Sequence, residues 1–465
     1  MEAIKVVNPY TRETIESIQL SDAEHVDAML ATASEIFLDR RKWIPKNDRI
    51  AILKRLKTLM QDHYDELVSL AVNEGGKPYT DTRIEMDRAI SGVQLAAEFL
   101  GQKSGNMIPM GRNAGSANRL AYTIDEPIGV VVSISAFNHP INLTIHQTVT
   151  AIAAGCPVIF KPALKTPLTG RKLTELIHQA GLPKEWCQYL VCSNDLTEKL
   201  ATDSRVAYVS FIGSYKVGWK IRANLAPGTA IGLEHGGVAP VLITRNADMS
   251  KCIQPLIKGA FYHAGQVCVS VQRIFLPELM ADSFIQAFLE GVSSLKTGNP
   301  ADPATDVGPL ILQEEVERVG FWIGDAVRKG GKILAGGKAI SNVCFEPSVI
   351  LNPSFDALVS KEEVFGPVVC LYTYSDVEDA LNHINELPFS FQASVFTEDL
   401  DEAMDFSNRI KANTLLINDH PAFRVDWMPF GGSELSGIGL GGIEFSIREM
   451  TKEKLVILKS SKIPA

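Results

Sequence analysis

The sequence predicts an α/β protein, with a parallel sheet followed by a second α/β domain. Three observations lead there. The hydrophobic period changes near Gly129, from helical spacing to short β-branched runs. Between 129 and 213 such runs alternate with helical stretches, which is the pattern of strand, crossover helix and parallel strand. A second alternation of the same kind begins near residue 239.

Taken in order, residues 22–38 and 46–74 carry apolar positions at helical spacing. The stretch DTRIEMDRAISGVQLAAEFLGQ from Asp81 continues with strong helix formers, so the N-terminal part is expected to be mostly helix. GVVVSIS from Gly129, PVIFKPA at 157–163, YLVC at 189–192 and VAYVSFIG at 206–213 read as strands, with helices over 141–154 and 167–180 between them. The second domain runs from APVLITRNAD (239–248) through VQRIFLP, KILAGGK and VVCLYTY to NTLLIND (413–419). The tail MTKEKLVILKSSK (450–462) alternates like a strand but stands alone. It is expected to pair with something distant in the chain or with another subunit.

At 465 residues the chain exceeds what one hydrophobic core serves, and 46% hydrophobic with 21% charged residues is the balance of a compact globular protein. A thinly spread net charge of −9, without a basic cluster, offers nucleic acid no counterion-release site. No signal peptide and no run of about 18 apolar residues is present, so a cytoplasmic protein without membrane partners is expected. Seven scattered cysteines without a CxxC pair argue against a disulfide framework and against a zinc site. Reduced thiols and no metal are expected.

Four constellations can carry chemistry. In SFIGSYKVG a strand is followed by Gly213, Ser214 and Gly218 at a helix start, where backbone N–H groups favour a phosphate; the GxGxxG spacing is absent, and a plain turn is the ordinary reading. In SISAFNHPINL, Asn138 follows a strand, and its amide can donate to a developing oxyanion or simply form a turn. GLEHGG puts Glu234 on what reads as a flexible turn, as a general base or as a solvated carboxylate. FYHAGQVCVSVQR carries Cys268, either a nucleophile or a small core residue.

The ordered series is far more specific than its members. Asn-His-Pro after a strand, FKPALKTP, GSxxxG, LExGG, GQxC, EEVFGPV and PFGGxxxSG together resemble the aldehyde dehydrogenase superfamily over nearly the whole chain. The resemblance implies a Rossmann-like cofactor domain (1–106 and 127–237), an α/β catalytic domain (238–445) and a small β oligomerisation element (107–126 and 446–465). It also implies self-association as a dimer or tetramer. Cys268 is implied as the nucleophile that forms a thiohemiacetal and then a thioester, Asn138 with the Cys268 backbone N–H as the oxyanion hole, and Glu234 as the base that activates the hydrolytic water.

The same resemblance places Lys161, with Ala163 and Leu164 after it, at the adenosine ribose of an NAD or NADP cofactor. Gly213, Ser214 and Gly218 fall along the pyrophosphate, Phe137 on the nicotinamide path, and Glu363 with Phe365 at the nicotinamide ribose and ring. NAD-preferring members commonly carry a Glu where this chain has Leu164, followed here by Lys165, which implies dual use or a lean to NADP. Arg88, His139 and Arg424 fall where relatives acting on small anionic aldehydes place charge-binding groups, among them non-phosphorylating glyceraldehyde-3-phosphate and phosphonoacetaldehyde dehydrogenases. Arg88 also reads as an ion-pair residue and Arg424 as a loop brace. Val267, where those relatives often carry Arg, points away from a dianionic phosphate and toward a sulfo-, carboxy- or hydroxyaldehyde such as lactaldehyde or sulfolactaldehyde. The rival readings are a broad-specificity enzyme, a member that passes its thioester to coenzyme A, and a catalytically idle structural protein. The presence of Glu234, Cys268 and Asn138 weighs against the last two.

Overall fold

A computed structural model of the protein describes residues 2–102 and 105–463. Two large sheets dominate it. The first has six strands in the spatial order Gly437–Ile438, Ala230–Glu234, Val206–Ile212, Val130–Ile134, Val158–Lys161 and Cys187–Tyr189, all parallel except the first. Val130–Ile134 is buried along its whole length, as a β-branched run covered by helices on both faces must be. The second has seven strands in the order Lys332–Ala335, Ser348–Leu351, Val368–Tyr374, Val271–Pro277, Ala239–Ile243, Gln392–Phe396 and Thr414–Ile417. Only the first of these runs antiparallel to its neighbour.

Helices Lys46–Asp62, Tyr64–Gly75 and Tyr79–Gln102 build an apolar layer with Pro140–Ala154 and Pro167–Gln179 against the first sheet. The last two helices begin with proline at a position where the missing N–H costs nothing. Pro140–Ala154 stops at Gly155, whose φ of +89° is the left-handed cap that glycine adopts without strain.

One expectation needs correction and two gain detail. The N-terminal part is mostly helix, as expected, with an antiparallel hairpin of Ala3–Val7 and Thr14–Gln19 ahead of the first helix. The strand expected at 189–192 lies at Cys187–Tyr189, because the Val191 carbonyl leaves the sheet to accept from Ser21 N–H. The terminal strand, Thr451–Lys459, pairs as expected with a distant segment, here of its own chain, antiparallel to Arg119–Pro127 along its full length, and Met107–Ile108 completes that three-stranded sheet. Residues 1, 103–104 and 464–465, which the expected domain division includes, lie outside the described residues. Among the described residues no helix is long and apolar enough to cross a membrane.

Candidate active site

In a parallel sheet, side chains that follow the C-terminal strand ends converge on one crevice. Here the loops after Val130–Ile134, Val158–Lys161, Val206–Ile212 and Ala230–Glu234 border a cavity of about 840 Å³, closed on its other side by the second sheet's loops. Its size is that of a site for a whole small ligand. Of the sequence-predicted site residues, only Gly218 is absent from its wall.

Asn138 sits in the turn between strand Val130–Ile134 and helix Pro140–Ala154 and is buried. Its Nδ2 donates to the Gln266 carbonyl at 2.9 Å, which uses one of two amide hydrogens and leaves the other free for a ligand. Gln266 was not foreseen. Its side chain donates to the carbonyls of His263 and Pro309 and accepts from Ile311 N–H at 2.9 Å, so it knits the cysteine loop to the 309–311 segment. Its place two residues before Cys268 was the available signal.

The cysteine loop leaves helix Met249–Phe261 through His263 and Ala264, both left-handed (φ +49° and +55°). Non-glycine residues held there mark a backbone shaped by its surroundings. Of the seven cysteines, six are buried and Cys268 alone is partly exposed. Burial pushes its thiol up to about 12; the Arg424 charge works against that shift, and Glu363 and Glu234 add to it. Val267 beside Cys268 belongs to a small apolar cluster with Val269, Phe391 and Phe430.

Glu234 does not lie on a flexible turn. It ends strand Ala230–Glu234, and its carbonyl accepts from Gly213 N–H at 3.2 Å. Burial raises its carboxyl above the ordinary range, Arg424 draws it back and Glu449 raises it further. The two glycines of LEHGG have distinct uses. A Cβ on Gly236 would fall 1.5 Å from Glu363 Oε1, so this position must lack a side chain for Glu363 to enter the cavity. Gly237 N–H donates to the Cys268 carbonyl at 3.2 Å and ties the two reactive segments together.

The three predicted charge-binding groups differ in their surroundings. Arg88 is engaged, with Nε and Nη2 donating to both oxygens of Asp426 at 3.1 and 2.8 Å, so its ion-pair reading is realised although it also borders the cavity. Arg424 lies over the Phe430 ring, 3.6 Å from its centroid, and its buried Nε and Nη2 have no hydrogen-bond partner among the described residues. His139 stacks edge-on to Tyr262 and His263, and burial, with Lys77 next, keeps it neutral well below its ordinary range.

The residues aligned with a dinucleotide fit one. Glu363 Oε1 is buried without a partner among the described residues, and burial pushes its carboxyl up to about 8, as for an acceptor awaiting hydroxyl donors. Phe137 and Phe365 meet edge to face at 5.8 Å. Lys161, Ala163, Leu164, Gly213 and Ser214 border the cavity, joined by Lys165 and Lys216. Gly218 instead lies on the inner face of helix Tyr215–Ala223, where a Cβ would come 2.0 Å from His235 Nε2. Among the described residues no group of three His, Cys, Asp or Glu side chains is arranged to hold a metal ion.

Comparison with known proteins gives the same picture. The model of the aldehyde dehydrogenase family matches residues 1–456. The chain is 35% identical over 458 residues to a 3-sulfolactaldehyde dehydrogenase of Priestia aryabhattai, covering 98% of this chain and 95% of that one. It is 34% identical over 462 residues to a lactaldehyde dehydrogenase of Methanocaldococcus jannaschii, covering 98% and 97%. Its fold superposes on the crystal structure of a glyceraldehyde-3-phosphate dehydrogenase from Methanocaldococcus jannaschii complexed with NADP, with a TM-score of 0.94, 33% identity and 98% and 99% coverage. On matches of this extent the chain belongs to the aldehyde dehydrogenase family, oxidoreductases that act on aldehydes.

Proposed function

We propose that the protein oxidises a small anionic or hydroxylated aldehyde to its carboxylate, with NAD or NADP as acceptor and NADP preferred. The observation that carries this reading is that Cys268, the one partly exposed cysteine, shares a cavity with Asn138 and Glu234. The Cys268 sulfur gives up its proton to solvent water and bonds to the aldehyde carbon, and the carbonyl oxygen takes the charge beside the Asn138 amide. A bound nicotinamide would supply the acceptor for the hydride released as the C–H bond breaks and the carbonyl re-forms, which leaves a thioester on Cys268. Glu234 then takes a proton from water, the water oxygen adds to the thioester carbon, and the C–S bond breaks to return the thiolate and release the carboxylate. Glu363 and Lys161 hold the dinucleotide, and the sheet joining Arg119–Pro127 to Thr451–Lys459 serves self-association as a dimer or tetramer. Residues 1–106 with 127–237 form the cofactor domain, 238–445 the catalytic domain, and 107–126 with 446–465 the oligomerisation element of a cytoplasmic enzyme.

The relatives that act on sulfolactaldehyde and lactaldehyde support a small polar substrate. Arg424 supplies the charge, since its buried Nε and Nη2 lack partners among the described residues and a sulfonate or carboxylate would satisfy them. The test is initial rate with both cofactors across lactaldehyde, glyceraldehyde, succinic semialdehyde, sulfolactaldehyde, phosphonoacetaldehyde, propanal and hexanal. One polar aldehyde is expected to lead in kcat/KM, and Arg424→Ala is expected to lower that lead about 10- to 100-fold while propanal changes far less. Equal rates for hexanal would sink the polar-substrate reading.

Cofactor choice has its own variant. Leu164 offers no carboxylate to grip ribose hydroxyls, Lys165 and Lys216 border the cavity, and Glu198 is neutralised by Lys220 at 2.6 Å. Leu164→Glu is expected to cut kcat/KM for NADP about tenfold or more relative to NAD, by repelling the 2′-phosphate. An unchanged ratio would show that this position does not face the ribose.

A further inference from the structure

Helix Tyr79–Gln102 carries a buried stripe in which Asp81 and Glu85 continue the line of Ala89, Val93 and Ala96. Carboxylates in an apolar stripe need partners, and each has found them on a different loop of the cavity. Glu85 Oε1 accepts from Ile141 N–H at 2.8 Å and from Asn142 N–H at 2.9 Å. These are the first free amides of helix Pro140–Ala154, whose own N-cap, His139, provides no side-chain cap. Glu85 therefore caps from another helix the element that begins two residues after Asn138, and the buried Lys77 balances its charge at 2.8 Å. Asp81 pairs with Lys258 and accepts from His263 N–H at 3.4 Å, at the left-handed start of the cysteine loop. One turn on, Arg88 holds Asp426, which also accepts from Asn142 Nδ2 at 3.3 Å and bonds His146 Nε2 at 2.7 Å, two residues past Arg424.

Positions 81, 85 and 88 lie on one helical face. We propose that this face is the positioning frame of the active site: Glu85 sets Asn138, Asp81 sets Cys268 and Arg88, through Asp426, sets Arg424. None of the three touches the reacting atoms in this scheme, so all are positioning residues. The inference rests on the catalytic reading above.

The test separates the loops. Glu85→Gln alone would strand the Lys77 charge, so it is combined with Lys77→Met, which keeps the site neutral. If Glu85 acts by placing Asn138, the double variant loses about 100-fold in kcat/KM for aldehyde, the scale of one oxyanion donor. Its KM for the cofactor and its rate of Cys268 alkylation by iodoacetamide should stay within about twofold of the parent. Added to Asn138→Ala it should cause no further loss, because the donor it places is already gone. Asp81→Asn should show the converse, an alkylation rate changed by about threefold or more. Losses that multiply in the Asn138→Ala background, or parental kcat/KM in the double variant, would overturn the frame. So would a parental alkylation rate in Asp81→Asn. A parent inactive on every aldehyde would overturn the catalytic reading instead, and the alkylation comparison, which needs no turnover, would still test the frame.

Discussion

Cys268→Ala is expected to abolish aldehyde oxidation, lowering kcat by about four orders of magnitude or more, the scale on which enzymes lose a covalent nucleophile. The size follows from the mechanism, because without the sulfur no thiohemiacetal forms and Asn138 and Glu234 have nothing to act upon. Stability should barely change, since a partly exposed thiol contributes little to the core. Binding of NADP, followed by protein fluorescence, should survive. Residual activity above a few per cent would mean that another group carries the chemistry, and the six buried cysteines are poor candidates.

The parent's thiol makes a companion measurement possible. Burial pushes it up to about 12, so the thiolate is a small minority in the cofactor-free protein and grows about tenfold per pH unit across the neutral range. Alkylation by iodoacetamide should therefore climb steadily from pH 7 to 10. A plateau below pH 9 would show that Arg424 outweighs desolvation.

Much of this site was readable in the sequence only as an ordered set. Asn138, Glu234 and Cys268 each have an ordinary local reading; Asn138 and Glu234 are united by where parallel strands end, and Cys268 reaches the same cavity from the loop ahead of strand Val271–Pro277, a property of topology rather than of neighbours. Glu234 was misread as a turn residue because the glycines after it mask a strand that ends at the carboxylate itself. Gly218 differs from the other candidates, as its helix-opening place suggests a phosphate while its neighbour in the fold is His235. The N-terminal hairpin escaped notice because TIESIQ is half exposed and buries too little apolar surface to stand out. Asp81 and Glu85 carry a signal of their own. They fall on the i, i+4 line of Ala89 and Val93, where a carboxylate either breaks the helix's packing or holds something distant. No local rule could name those partners, which come from loops far along the chain.

Glu234→Gln is expected to have the second largest effect, and of a different kind. Glutamine keeps the shape but cannot take a proton, so acylation of Cys268 should proceed while hydrolysis of the thioester stalls. A stopped-flow experiment should then show a burst of reduced cofactor close to one per active site, followed by a steady rate about 10²- to 10⁴-fold below the parent. The pH profile adds an independent check. Because burial raises the Glu234 carboxyl, its basic form is lost as pH falls through a value above the ordinary glutamate range. The acid limb of parental kcat should lie correspondingly high and should vanish in the variant. Loss of the burst together with the steady rate would assign Glu234 to formation of the thiolate instead. A burst followed by parental turnover would mean that another group activates the water.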